Sequence, residues 1–437
     1  MGPRIRIGLA ALSMGAAMAA LPGTVAAADG TKIDSGDTAW LLVATALVMV
    51  MLPGLALFYG GLVRSKNVLS TIMHSFFGLA IVSVIWVLWG FSLAFGKDVN
   101  GWGLIGGLDF LGFTNVGLGP DPRYAATIPF VLFAAFQLMF AAITPALITG
   151  AFAERKRFTA FVLFTILWST FVYSPLAHWV WAPGGWLRNL GTLDFAGGTV
   201  VHVSSGVSAL VAAILIGRRA STGQPMEPHD VPMTVLGAGL LWFGWFGFNA
   251  GSALGATGQA ANALLVTNTA AGAATLTWVL ASYIHRRKVS VVGAACGAVA
   301  GLVAITPASG FVTAGGAVII GLSVGAICYS ATLLRERLKV DDALDVFAVH
   351  GIGGTFGAIA TGVLAVAAVG GVSGAIEGNV RQVGIQLAAV LATYVFAGTA
   401  TFLIVKFVDL ALGIRVGARE EELGLDLALH GEAAYQS

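Results

Sequence analysis

The sequence predicts an all-α membrane protein of eleven transmembrane helices, built as two inverted five-helix repeats plus a final helix. Three observations carry this. First, the 437 residues are 57% hydrophobic and 10% charged, whereas a soluble domain carries roughly 25% charged residues. Second, eleven apolar runs approach the length of about 20 residues that a bilayer demands. Third, basic residues alternate along the connecting loops, as the tendency of Lys and Arg to stay cytoplasmic requires. The length alone suggests two or three soluble domains, and composition overrides it. A net charge of +2 argues against a nucleic-acid partner.

The first 28 residues stand apart. Arg4 and Arg6 precede a short apolar run broken by Pro22 and Gly23, and "AAA" precedes Asp29. This is the layout of a secretory signal peptide, with cleavage expected near Ala28. The membrane domain is expected over 29–413 and a cytoplasmic tail over 414–437. The spans read as Trp40–Leu62, Val68–Phe95, Ala125–Phe152, Phe158–Trp179, Gly197–Ile216, Val231–Ala250, Ala260–Ile284, Val289–Ile305, Phe311–Leu334, Val346–Ala367 and Val383–Leu412.

Loops after odd-numbered spans hold Arg64 and Lys66, Arg155 to Arg157, Arg218 and Arg219, Arg286 to Lys288, and Arg335, Arg337 and Lys339. The tail adds Arg415 and Arg419. Loops after even-numbered spans hold Lys97, Arg123, Arg188 and Arg381. The mature N-terminus is therefore expected outside and the C-terminus inside. Five spans per half (about 40–217 and 231–367, with 383–412 as the last helix) force the halves to be inverted. They share a landmark: "DFAGGTVVHVSSG" places Asp194 before His202, and "DVFAVHGIGGTFG" places Asp345 before His350. Inverted repeats commonly hold a transport site near the midplane.

Cys296 and Cys328 sit in apolar runs without metal-ligand spacing and read as core hydrophobes. Of seven histidines, His229, His285 and His430 lie at segment ends, His178 lies near the outer end of the fourth span, and His74 reads as a packed, hydrogen-bonded residue. His202 and His350 occupy equivalent places at membrane depth, where ionisable groups mark pathways. A metal site needs three or four ligands and an enzyme needs a nucleophile or activated water. Neither recurs beside the pair, so no metal, cofactor or enzymatic role is expected. Asp194 and Asp345 read as carboxylates capping helix starts, and Asp194 adds a field at the outer mouth. Phe136 and Phe140 lie one helical turn apart in the third span, and Trp181, Trp242, Trp245, Phe248 and Ser252 lie near outer helix ends. Such rings form an interfacial belt or hold a cation by its attraction to their faces.

The ordered set "PGLALFYGGLVRSKNVLS", "GAFAER", "LDFAGGTVVH", "WFGFNAGS" and "DVFAVHGIGG" resembles the ammonium transporter (Amt/MEP) family, closer to its Amt branch than to its Rhesus branch. The resemblance spans nearly the whole mature chain. It implies a homotrimer in the plasma (bacterial inner) membrane, each subunit with its own pore, embedded in lipid. It implies an outer ammonium site at Phe140, Trp181 and Ser252, a gate of Phe140 and Phe248, twin pore histidines at His202 and His350, a structural and electrostatic Asp194, and a pore-wall Trp245. The substrate would be ammonium or ammonia, with methylammonium as analogue. The tail "GIRVGAREEELGLDLALHGEAAYQS" implies contacts between neighbouring subunits and docking of a PII-type regulator. The alternatives are a Rhesus-like passive ammonia channel, in which Trp181 and Ser252 would have little use, and an ammonium sensor, which would be expected to carry an output domain. None is seen before Ser437.

Overall fold

The computed structural model describes residues 32–220 and 227–435. The expected signal peptide, 1–28, lies outside the described residues. Among them there is no β-strand, a few isolated bridges aside, and ten helices are long and apolar enough to cross a bilayer. These are α1 (Ser35–Leu62), α2 (Ser65–Phe95), α3 (Phe130–Phe152), α4 (Phe158–Leu190), α5 (Gly198–Ile216), α6 (Val231–Ala253) and α7 (Gly258–Arg286), then α9 (Ala314–Leu338), α10 (Phe347–Leu364) and α11 (Arg381–Leu412). Between α7 and α9 lies α8, a 15-residue apolar helix (Val291–Ile305). At 1.5 Å per residue it reaches about 22 Å, short of the roughly 30 Å hydrocarbon core.

Helix starts follow local chemistry. Asp34, Asp230, Thr257, Ser290 and Thr313 each accept a hydrogen bond from a first-turn amide, at 2.9, 2.8, 3.2, 2.9 and 3.3 Å respectively. Each satisfies one of the orphan donors at a helix start. α3 starts at Phe130 rather than Ala125, because Pro129 is extended and precedes the first helical residue. α7 and α9 end in basic residues, His285 and Arg286, then Arg335 and Arg337, which suit the negative helix end.

α1 and α6 are closely packed. A Cβ on Gly237 would lie 2.2 Å from the Phe58 nitrogen, so this crossing requires glycine.

The basic loops gather on one face of the bundle. Arg64 pairs with Glu154 at 2.7 Å, Arg219 with Glu154 at 3.2 Å, and Arg219 with Asp341 at 2.6 Å. These tie together the loops after α1, α3 and α5 and the segment before α10. The tail joins the same face. After α12 (Ala418–Leu423), Asp426 accepts from the amides of Leu69 at 3.1 Å and Ser70 at 2.8 Å, and the Leu425 amide donates to Asn67 at 2.8 Å. The tail thus caps α2 of its own chain.

Candidate functional site: an outer vestibule above paired histidines

On the face opposite the basic loops, a vestibule of about 290 Å³ opens between α3, the C-terminal part of α4 and the C-terminal end of α6. Phe140, Trp181, Asp194, Ser252 and Gln137 line it. The Trp181 ring stands edge-on to Phe140, with centroids 5.9 Å apart and an interplanar angle of 82°. Its indole Nε1 donates to the Asp194 carbonyl at 3.1 Å. Ser252 donates to the Phe248 carbonyl at 2.8 Å, which uses its proton and leaves its oxygen lone pairs to accept. Two aromatic rings and a hydroxyl acceptor therefore line the vestibule together with Asp194.

The vestibule floor is an aromatic pair. Phe140 and Phe248 lie against each other with centroids 4.3 Å apart, tilted by 35°, and both are almost fully buried. Phe136 abuts Phe140 from α3 at 4.9 Å.

Below the floor, a second cavity of about 10 Å³ is lined by Ile143, Val201, His202, Trp245, Phe248 and His350, among other apolar side chains. That is room for about one water-sized molecule. His202 lies in a π-helical turn at Gly198–Val203 that opens α5, and His350 in one at Phe347–Ile352 that opens α10. Such turns are rare and cluster at functional sites. The two Nδ1 atoms are 3.2 Å apart and the rings 5.3 Å apart at 29°. Two facing nitrogens need one N–H and one lone pair, so a neutral pair shares a single proton across this contact. Trp245 stacks on His202 at 5.4 Å and 23°, and its Nε1 donates to Thr306 at 2.8 Å. His202 Nε2 has no protein partner.

What holds the helices this close is Gly206. A Cβ there would lie 2.2 Å from the Gly351 nitrogen and 2.3 Å from its Cα. Asp194 fixes the start of α5: its carboxylate accepts from the amides of Gly197, Gly198 and Thr199 at 2.7, 2.6 and 2.8 Å, and from the Thr199 hydroxyl. The carboxylate is turned into the helix start.

The reading of Asp345 as a cap is corrected. Asp345 has φ of 57° and pairs with Arg335 at 2.5 Å. The cap of α10 is Asp342, whose Oδ2 accepts from the Phe347 amide at 2.7 Å. Spacing carried this information, since Asp342 stands eight residues before His350 (350 − 342) as Asp194 stands eight before His202 (202 − 194). His74 is packed but not hydrogen-bonded: both ring nitrogens lack a protein partner, and the ring lies 4.5 Å from Phe161. Lys156, read as a loop charge, is fully buried, its Nζ 3.8 Å from the ring centroids of both Phe152 and Phe164. Gln137 is a vestibule residue that the aromatic pattern alone did not single out. Its Oε1 is buried without a protein partner, one helical turn before Phe140.

A sequence model of the Ammonium Transporter Family matches residues 39–435. The chain belongs to the ammonium transporter family. Among relatives, an ammonium transporter of Bacillus subtilis is 52% identical over 404 residues, covering 92% of this chain and 98% of that one. Ammonium transporter Amt1 of Archaeoglobus fulgidus is 48% identical, with 92% and 100% covered. Among solved structures, Saccharomyces cerevisiae Mep2 superposes with a TM-score of 0.86 at 41% identity, covering 93% of this chain and 92% of Mep2. A sensor Amt protein superposes with a TM-score of 0.84 at 32% identity, with 90% and 98% covered. Membership in a transporter family, with ten apolar helices, makes this a multi-pass membrane protein.

Proposed function

We propose that the chain recruits ammonium at Phe140, Trp181 and Ser252, strips a proton at the Phe140–Phe248 gate and conducts ammonia past His202 and His350. The observation that carries this reading is an order along one axis. A wide vestibule edged by rings and acceptors leads to a tilted aromatic pair, and then to a narrow, mostly apolar lumen that two histidines line.

Physics explains why that order suits ammonium. Ring faces attract a monovalent cation by roughly 0.5–2 kcal/mol, more when desolvated, but they discriminate poorly between ammonium and potassium. Ammonium donates hydrogen bonds to Ser252 and can lose a proton. An intact ion in the apolar lumen meets a large desolvation cost, whereas a neutral molecule does not. Deprotonation at the gate therefore turns acidity into selectivity. The neutral histidine pair offers ammonia both a donor and an acceptor, and Trp245 walls the lumen beside it. A passive gas channel would have little use for the cation-binding rings.

The same reading includes eleven crossings, with α8 and the turn after it as the eighth, in inverted halves over 40–217 and 231–367. It includes a 29–413 membrane domain after a cleaved 1–28 signal, an outside N-terminus and a cytoplasmic tail in the plasma (inner) membrane. It also includes assembly as a homotrimer and docking of a PII-type protein at the tail face.

Carboxylate substitution of either histidine tests the pore: it should admit potassium, and unchanged exclusion of potassium counts against proton loss as the filter. The likeness to a sensor Amt protein supports a second reading, in which ammonium is sensed. Uptake of labelled methylammonium into liposomes holding the purified chain separates the two, since a sensor alone accumulates none.

A further inference from the structure

His178 lies one helical turn before Trp181, fully buried at the outer end of α4. Its Nδ1 is 3.0 Å from the Ala94 carbonyl oxygen, and its Nε2 is 3.1 Å from the Asp98 carboxylate. The ring therefore bridges a carbonyl in the last turn of α2 and a carboxylate just beyond it. Burial works against the Asp98 charge, but turn amides and the His178 ring outweigh this and hold its carboxyl below its ordinary value. The nearby charges are Lys97, exposed on the same turn, Asp109, which accepts from the Lys97 amide, and Arg188, which donates to the Trp181 carbonyl.

The contact sits where two turns interlock. The Trp179 indole donates to the Leu104 carbonyl at 2.7 Å, and the Trp186 amide to the Gly103 carbonyl at 3.2 Å. Gly185 is so close beneath that a Cβ would lie 2.0 Å from the His178 carbonyl oxygen. The outer end of α4, which carries Trp181, is thus clamped to the outer end of α2 through His178 and Asp98.

We infer that His178, by bridging the Ala94 carbonyl and the Asp98 carboxylate, fixes the outer end of α4 against the end of α2 and so aims Trp181 into the ammonium vestibule. His178 is a positioning residue and does not touch substrate. The inference rests on the proposed outer site at Trp181.

The test uses the full chain in detergent and in liposomes. Thermal unfolding in detergent should show His178→Asn and Asp98→Asn both folded. In liposomes, Asp98→Asn should raise the half-saturating methylammonium concentration roughly tenfold, the size of one lost charged hydrogen bond, with the maximal rate retained. An unchanged half-saturation in Asp98→Asn overturns the inference. Trp181→Leu keeps the two readings apart. If Trp181→Leu itself leaves half-saturation unchanged, the outer-site reading fails and this inference with it. If Trp181→Leu is impaired and Asp98→Asn is not, this inference alone fails.

Discussion

Gly206→Ala places one methyl group at the point where α5 crosses α10. The added Cβ would lie 2.2 Å from the Gly351 nitrogen, against 3.4 Å for the start of ordinary contact. The helices must separate by about 1.2 Å (3.4 − 2.2) if neither deforms. His350 is the neighbour of Gly351, so the same displacement carries its ring. The Nδ1–Nδ1 distance of 3.2 Å then opens to about 4.4 Å (3.2 + 1.2), beyond hydrogen-bond reach. Overpacking of this kind costs roughly 1–3 kcal/mol, which a bundle of this size should survive. The expected result is a folded protein with strongly reduced methylammonium uptake into liposomes. Thermal unfolding in detergent separates lost folding from lost transport. Gly239→Ala is the control, because a Cβ there meets nothing within 4 Å. A folded Gly206→Ala protein that transports at the unmodified rate would refute the claim that this crossing sets the histidine pair.

Other expectations concern the vestibule, the helix start and the inner face. Trp181→Leu removes one ring face and should raise the half-saturating ammonium concentration roughly two- to thirty-fold, the equivalent of 0.5–2 kcal/mol, as uptake at limiting substrate would show. Asp194→Ala strands three amides and a hydroxyl at the start of α5 and should lower the unfolding temperature more than Asp194→Asn, which keeps an acceptor. Arg219→Ala leaves Glu154 and Asp341 short of a buried partner, and a loss of about 3–5 kcal/mol is expected from thermal unfolding. On the same face, burial would raise the Glu154 carboxyl, but Arg64 and Arg219 outweigh it and hold it below its ordinary value. Asp341 is held low in the same way, with Arg219 outweighing burial. A depressed carboxyl stabilises above its ordinary range and loses that contribution as pH falls through the depressed value. Unfolding temperature should therefore be flat near neutrality and drop below about pH 4.5.

Helix positions were readable because bilayer length and hydropathy leave few choices. Where boundaries moved, a local cause is visible: Pro129 delays α3, and α8 is too short to reach across alone. The pairing of His202 with His350 followed from their matched surroundings, although no composition rule could give the 3.2 Å contact. Asp345 was mistaken for a cap because it is the nearer carboxylate, while the eight-residue spacing belongs to Asp342. Lys156 was misread as a loop charge for a different reason. A lysine in a basic loop reads as solvated, and the rings of Phe152 and Phe164 that enclose it come from two separate helices. The His178–Asp98 contact joins residues 80 apart in sequence, and nothing local to either residue announces the other.

The central claim is that ammonium is filtered by losing its proton before the histidine pair. The most direct measurement is current across bilayers holding His202→Glu protein, with potassium as the sole permeant cation, beside the unmodified protein. The unmodified chain should carry no potassium current, and His202→Glu should carry one, because a carboxylate stabilises an intact cation in the lumen. A His202→Glu protein that still moves methylammonium yet excludes potassium as fully as the unmodified chain would contradict the claim.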